Sequence, residues 1–446
     1  MKSPLEQLED AHISGKRCDM EGRTREASAF YRICLDIDPT RFDILRDWCY
    51  ATANHDRAAV IDVLDDRLGR ETDKIAAAKL LMLQLPYLES TRRELASLDH
   101  YSATHAFEKP FEFSQMEVAH FCALASTAKI ETQSSINLLA AAKFISWDFP
   151  ATQAFLDMYR EHGRGDPRVS AVYLRGDWFD GIGSGDLMMP RTYRIVSPRR
   201  CKDQRIFVGC DLAFMKFIIP LARSLAMSGT GAHLHLHLFD ATPQAASSVV
   251  SQLDDILAGA FAVSYEQKHD GHKFFSHRRF YFAPARLMRM YQFCAFDSIP
   301  TVMLDADIMI NLNLKGVFDR LLGLDAIICR MPGRIPFHTQ ANASIFAINP
   351  ASNTAMTYLR RIAGYIHQCF EIGNVPWCLD QIAIYCTYLE MRERGGALLV
   401  GACGPKVYNG SWEDDVALWP AKCSAGHEQR TKWENASKRF QLTVEK

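Results

Sequence analysis

From the start of the chain to about residue 165, apolar residues recur at three-and-four spacing with few runs of β-branched residues, which predicts a series of helices. Near the start, Gly15, Cys18, Gly22, Ala27, Tyr31, Cys34 and Pro39 set small and aromatic residues at the intervals of a paired-helix unit. Small residues let two helices approach, the aromatic ring fills their seam, and the proline stops the second helix. A second unit follows from residue 41 to about 68, where Leu45, Trp48, Ala51, Ala58, Val60, Ile61, Val63 and Leu64 predict another pair. Further helices are predicted at 75–83, 113–125 and 134–144.

Between 163 and 202 the text changes to clusters of Gly, Asp, Pro and Arg, which break regular structure and predict a linker at 166–202. The glycines from Gly181 to Gly185 lack the Lys and Ser or Thr of a phosphate loop. Beyond the linker the period changes. Strands are predicted at 205–211, 232–239 and 260–265, helices at 214–227, 243–257 and 283–296, with Pro284 in the first turn of the last helix. The short turn 297–300 then feeds an apolar strand running from Thr301 to Ile310. Alternating strands and helices predict an α/β fold with a mostly parallel sheet flanked by helices, preceded by an all-α repeat-like domain. Two domains joined by a linker follow: 1–165 helical and partly repeat-like, 166–202 linker, and 203–446 sheet-bearing.

Ligands of such sheets gather at the carboxyl ends of the strands. Asp211 ends the first strand, and Asp305 and Asp307 interrupt the 301–310 run, where an unpaired carboxylate is costly to bury. Two acids one residue apart suit a divalent cation carrying a phosphate; the plain alternative is a solvated strand end. His233, His235 and His237 alternate and therefore share one face of their strand, and a packed histidine face is the simpler expectation than a metal site. The segment 268–281 mixes bases with aromatics, and reads more simply as a loop near a phosphate-bearing substrate than as a nucleic-acid site.

Composition narrows the class of protein. The 446 residues are 48% hydrophobic and 23% charged, with a formal net charge of -1, so no global electrostatic case exists for nucleic acid or an anionic membrane. Thirteen cysteines, none in a C-x-x-C pair, point to a reducing cytoplasm rather than a disulfide framework or zinc ribbon. The first residues lack the apolar core of a signal peptide, and the apolar stretch near 214–227 is broken by Lys216, Pro220 and Arg223, so no membrane span is expected.

Two resemblances add to this reading. The first helices resemble tetratricopeptide repeats, which implies a module for protein partners or dimerisation. From about 205 to 440, the chain resembles nucleotide-sugar glycosyltransferases of the GT-A fold, especially the family 8-like group. The residues that carry it are Val208-Gly209-Cys210-Asp211, then Tyr281 and Arg286, then Met303-Leu304-Asp305-Ala306-Asp307-Ile308, followed by Asn342 to Asn349 and Trp377-Cys378-Leu379-Asp380-Gln381. The resemblance implies that Asp305 and Asp307 hold Mn²⁺ or Mg²⁺ on the diphosphate, with His427 completing the metal shell and Lys432 meeting the phosphates. It also implies Asp211 at the base or ribose, Asp305 at the ribose as well, Arg286 against an acid or phosphate, Asn342 facing the donor sugar, and Asp380 and Gln381 as the catalytic pair. The glycine and proline that the family sets around the lysine are missing here.

The expected activity is sugar transfer from a nucleotide-sugar donor to a protein or glycan acceptor, retaining by resemblance. The alternatives are a non-catalytic helical-repeat adaptor carrying an inactive glycosyltransferase-like domain, a sugar-nucleotide pyrophosphorylase, which would need a Gly-rich loop after the first strand, and a nucleic-acid binder.

Overall fold

The computed structural model describes residues 2–20, 23–53, 55–84, 87, 115–130, 132–146, 148–163, 165–174, 178–179, 193–198, 203–267, 278–330, 341–395, 397–404, 406–408, 414–420, 431, 434–436 and 438. The chain divides into two compact units, one containing the described helices up to residue 128 and the other the described residues from 129 to 420.

The first unit is a run of helices: α1 (Pro4–Met20), α2 (Thr24–Ile37), α3 (Phe42–Ala53), α4 (Arg57–Arg70), α5 (Lys74–Gln84) and α6 (Gln115–Ala125). Each packs on the next in chain order. Their apolar faces enclose a core of Ala27, Tyr31, Cys34, Leu45, Trp48, Val60 and Leu64. Gly15 lets α1 close on α2, because a Cβ there would stand 2.7 Å from the Tyr31 ring. Tyr31 is fully buried and cannot retreat, so Gly15→Ala is expected to cost about 1–3 kcal/mol through overpacking. A melting midpoint equal to wild type would contradict this seam.

The second unit opens with α7 (Gln133–Ile145), α8 (Phe149–Glu161) and the single turn α9 (Pro167–Ser170). It then builds an eight-stranded sheet in the order β1-β4-β3-β2-β5-β8-β7-β9. The strands are β1 (Tyr193–Pro198), β2 (Arg205–Asp211), β3 (His233–Phe239), β4 (Phe261–Glu266), β5 (Thr301–Leu304), β7 (Ala326–Arg330), β8 (Ala341–Ile348) and β9 (Val400–Ala402). All run one way except β1 and β8, which pair antiparallel with their neighbours. β1 falls inside the stretch expected to be a linker, whose residues 175–177, 180–192 and 199–202 lie outside the described residues. So do Gly181 to Gly185 and residues 268–277.

The helices are α10 (Met215–Met227), α11 (Pro243–Leu257), α12 (Arg278–Cys294), α13 (Lys315–Leu321), α14 (Asn353–Glu371) and α15 (Leu379–Glu393). α10 and α11 cover one face of the sheet, where they enclose Leu234, Leu236 and Leu238 of β3. The histidines of β3 point to the other face, where the His235 and Phe293 rings lie 4.2 Å apart and so seat α12. α7 and α8 stand in this unit, with Phe144 against Tyr385 of α15 and the Tyr365 hydroxyl of α14 donating to the Ala171 carbonyl at 2.5 Å.

Two expectations are corrected. Pro284 does not start its helix but lies inside α12, which begins at Arg278. The cost of its missing N–H is overridden by packing in the preceding turn, where the Tyr281 ring stacks on Phe370 at 5.2 Å. The run 301–310 is not one strand either. β5 stops at Leu304, the Ile308 amide donates back to the Asp305 carbonyl at 3.2 Å, and β6 (Ile308–Ile310) pairs with β10 (Leu418–Pro420) in a separate ribbon. The two acids therefore stand at a tight corner, where their side chains escape the core.

The histidine face of β3 is polar and sealed. His235 Nε2 and His237 Nδ1 share the Ser264 hydroxyl at 3.0 and 2.9 Å, and burial lowers both imidazoles below their ordinary value. As pH falls below the ordinary value of about 6.5, the unfolded chain gains protons that these folded histidines refuse, so stability declines. The slope reaches up to about 1.4 kcal/mol per pH unit for each histidine. Melts at pH 7.5 and 5.5 check this, with the lower midpoint expected at 5.5 and equal midpoints contradicting it.

Candidate active site

The site collects at the carboxyl edge of the sheet. β2 and β5 are parallel neighbours, so Asp211 at the end of β2 and the Asp305 corner after β5 emerge on the same side. Asp211 is half-buried, and its carboxylate accepts the Ala213 amide at 3.0 Å, capping the 3₁₀ turn Leu212–Phe214. Asp305 and Asp307 are half-buried, while Ala306 between them is buried. The Asp305 amide donates to the Ser344 carbonyl of β8 at 3.0 Å, which ties the corner to the strand carrying Asn342. The Asn342 side-chain oxygen in turn accepts the Ser344 amide at 2.8 Å.

Arg286 is the hub. It lies on α12, and at Gly209 the helix touches β2 so closely that an added Cβ would stand 2.8 Å from the Arg286 Cβ. Its guanidinium, on a side chain 7% exposed, pairs with Asp305 and, at 3.0 Å, with Asp380, and it donates to the Ala343 carbonyl at 2.9 Å. Asp380 sits in the first turn of α15, a position where a carboxylate favours the helix, and its other oxygen accepts the Gln381 amide at 2.9 Å. Burial pushes the Asp380 carboxyl up against the pull of Arg286, and the Asp305 charge adds to the rise. Arg286 is itself held above its ordinary value, because its two acids outweigh its burial.

Of the residues expected from sequence, the structure joins Arg286, Asp305 and Asp380 by direct contact, with Asn342, Asp307 and Gln381 in the segments beside them. Asp211 occupies the end of the strand next to Asp305, engaged with its own turn. His427 and Lys432 lie outside the described residues.

The donor chemistry suits a hard divalent ion, which is commonly held by one or two carboxylates together with substrate phosphates. Among the described residues, no group of three His, Cys, Asp or Glu side chains forms a complete protein cage for a metal. The two carboxylates of one corner, Asp305 and Asp307, are donors of the kind that such an ion takes from a protein. No described helix is long and apolar enough to cross a membrane.

No protein-family model matches the chain, and no curated protein matches it. Solved structures match about half of it. The glycosyltransferase GlyE of Streptococcus pneumoniae TIGR4 is 14% identical, with 55% of this chain and 64% of that chain covered and a TM-score of 0.36. Mouse xyloside xylosyltransferase 1 is 13% identical over 50% of this chain and 98% of that chain, with a TM-score of 0.34. The galactosyltransferase LgtC, solved with donor and acceptor sugar analogs, is 12% identical over 53% of this chain and 96% of that chain, with a TM-score of 0.37. The chain thus spans a little under two-thirds of the length of GlyE.

Sequence reasoning missed the main-chain part of the site. The carbonyls of Ala343 and Ser344 carry no side-chain signature, yet they hold Arg286 and the acidic corner. Gly209 was legible in principle, since a lone glycine inside an apolar strand marks a close backbone approach.

Proposed function

We propose that the protein transfers a sugar from a nucleotide-sugar donor to a protein or glycan acceptor, using Mn²⁺ or Mg²⁺. The observation that carries this reading is one buried guanidinium bridging two acids, Asp305 and Asp380, at the carboxyl edge of a parallel sheet, next to a third carboxylate, Asp307. Such an edge is where ligands of open α/β sheets bind. Arg286 fixes the spacing between an acid suited to a metal diphosphate, Asp305, and an acid suited to sugar hydroxyls, Asp380.

In this reading Asp305 and Asp307 hold the ion, and Asp211 takes the base or ribose. An ion held by Asp305 and Asp307 would supply positive charge to offset the charge that grows on the leaving diphosphate. Asp380 and Gln381 orient the donor sugar, and the carboxylate of Asp380 faces the positive charge that develops at its anomeric carbon. Asn342 steadies the donor sugar from β8. By resemblance, His427 and Lys432 add to the metal and phosphate contacts and the reaction retains configuration. The helical unit, in the same reading, grips a protein acceptor or partner.

The test is a panel of nucleotide sugars with Mn²⁺ or Mg²⁺, measuring release of the nucleoside diphosphate. Turnover of at least one donor that stops on chelation is expected. Absence of turnover with every donor, alongside retained binding of a protein partner, would favour the adaptor reading instead.

A further inference from the structure

The histidine strand has no place in the proposed chemistry, yet it feeds a buried chain of polar contacts. From His235 the chain passes through the Ser264 hydroxyl to His237 Nδ1, and from His237 Nε2 to Glu266 at 3.2 Å. Glu266 then accepts Arg289 Nε of α12 at 2.6 Å, and Arg289 donates on to Gln292 at 3.3 Å. All of these groups are buried; Glu266 is 3% and Arg289 2% exposed. Burial alone would raise the Glu266 carboxyl, but Arg289 and His237 bring it down to about 2.

A buried ion pair of this kind adds little net stability compared with apolar residues of the same shape, and its best-attested use is to fix a register. Here the register concerns α12. Arg289 stands three residues after Arg286, within one helical turn, so the two guanidinium groups share a side of the helix. Successive side chains stand about 100° apart around a helix, so Arg286 and Arg289 lie about 60° apart, and a roll of α12 would turn both together and carry Arg286 away from one of its acids. α12 touches β2 closely at Gly209 beside Arg286, and the ion pair at Arg289 ties the same helix to β4 one turn further along.

We propose that the chain His235, Ser264, His237, Glu266 and Arg289 is a positioning device that sets the roll of α12 and so keeps Arg286 bridged between Asp305 and Asp380. Its consequence for catalysis rests on the glycosyl-transfer reading; its consequence for Arg286 does not. The members are positioning residues, since none touches the reacting atoms.

The test uses the full chain with Glu266→Gln and Arg289→Gln together, because changing one alone would strand a buried charge. A crystal structure of this variant is expected to show the Arg286 guanidinium shifted out of hydrogen-bond reach of Asp305 or Asp380. Donor turnover is expected to drop about tenfold, as small misplacements do. In an Arg286→Lys background the same pair of changes is expected to cost much less, because the device acts through Arg286. Costs that multiply in full, or an unmoved Arg286, would overturn the proposal. Should the double variant not fold, Ser264→Ala removes only the hydroxyl between the two histidines and is expected to shift Arg286 in the same sense; an unmoved Arg286 there overturns it equally. If the wild type turns over no donor, the glycosyl-transfer reading fails, and the position of Arg286 still decides this one.

Discussion

Changing Asp305 and Asp307 together to asparagine is expected to lower metal-dependent turnover of a nucleotide-sugar donor by at least about a hundredfold, with the fold kept. The magnitude follows from losing the group that stabilises charge on a leaving diphosphate, which is commonly the largest single contribution to such catalysis. Some stability is expected to be lost, because Asp305 is one of the two counter-charges of the buried Arg286, which keeps Asp380, while asparagine preserves the shape of both side chains. Steady-state release of nucleoside diphosphate, read beside a thermal melt, checks both halves. Wild-type turnover in the variant would remove the acidic corner from the mechanism.

Arg286→Met is expected to destabilise the sheet unit by about 3–5 kcal/mol, the usual cost of leaving a buried charge without its partner. Asp380 is only 4% exposed and would lose its guanidinium, and Asp305 would lose the same counter-charge. The Ala343 carbonyl would also lose a donor. A second change, Asp380→Leu, removes the stranded acid and is expected to recover much of the lost stability without restoring turnover. Denaturant unfolding of the two variants checks this. Equal stability of Arg286→Met and wild type would show that the bridge is not the hub described above.

The order of strands and helices after residue 203 was legible because the hydrophobic period there switches cleanly. β2 occupies the predicted 205–211, and α11 the predicted 243–257. Where the reading failed, tertiary contacts decided. The apolar run from Thr301 to Ile310 has the composition of one strand, but the Asp305 amide is claimed by Ser344 and the chain turns at the acids. Pro284 signals a helix start, yet the stack of Tyr281 on Phe370 carries the helix past it. The alternation of His233, His235 and His237 gave their shared face correctly. Their partners on β4, Ser264 and Glu266, are 27 or more residues away, Arg289 of α12 joins through Glu266, and no local pattern announces any of them. The same holds for the site itself. The acids were visible one by one, while the bridge joining Asp305 to Asp380 spans long stretches of sequence through a single arginine.

In the proposed function the Asp305 corner binds a nucleoside diphosphate through a shared divalent ion. Calorimetric titration of the full chain with a nucleoside diphosphate, with and without Mn²⁺, tests it most directly. Saturable binding that needs Mn²⁺ is expected in the wild type, and its loss when Asp305 and Asp307 are asparagine. Binding that is indifferent to Mn²⁺, or that survives both substitutions, would contradict it.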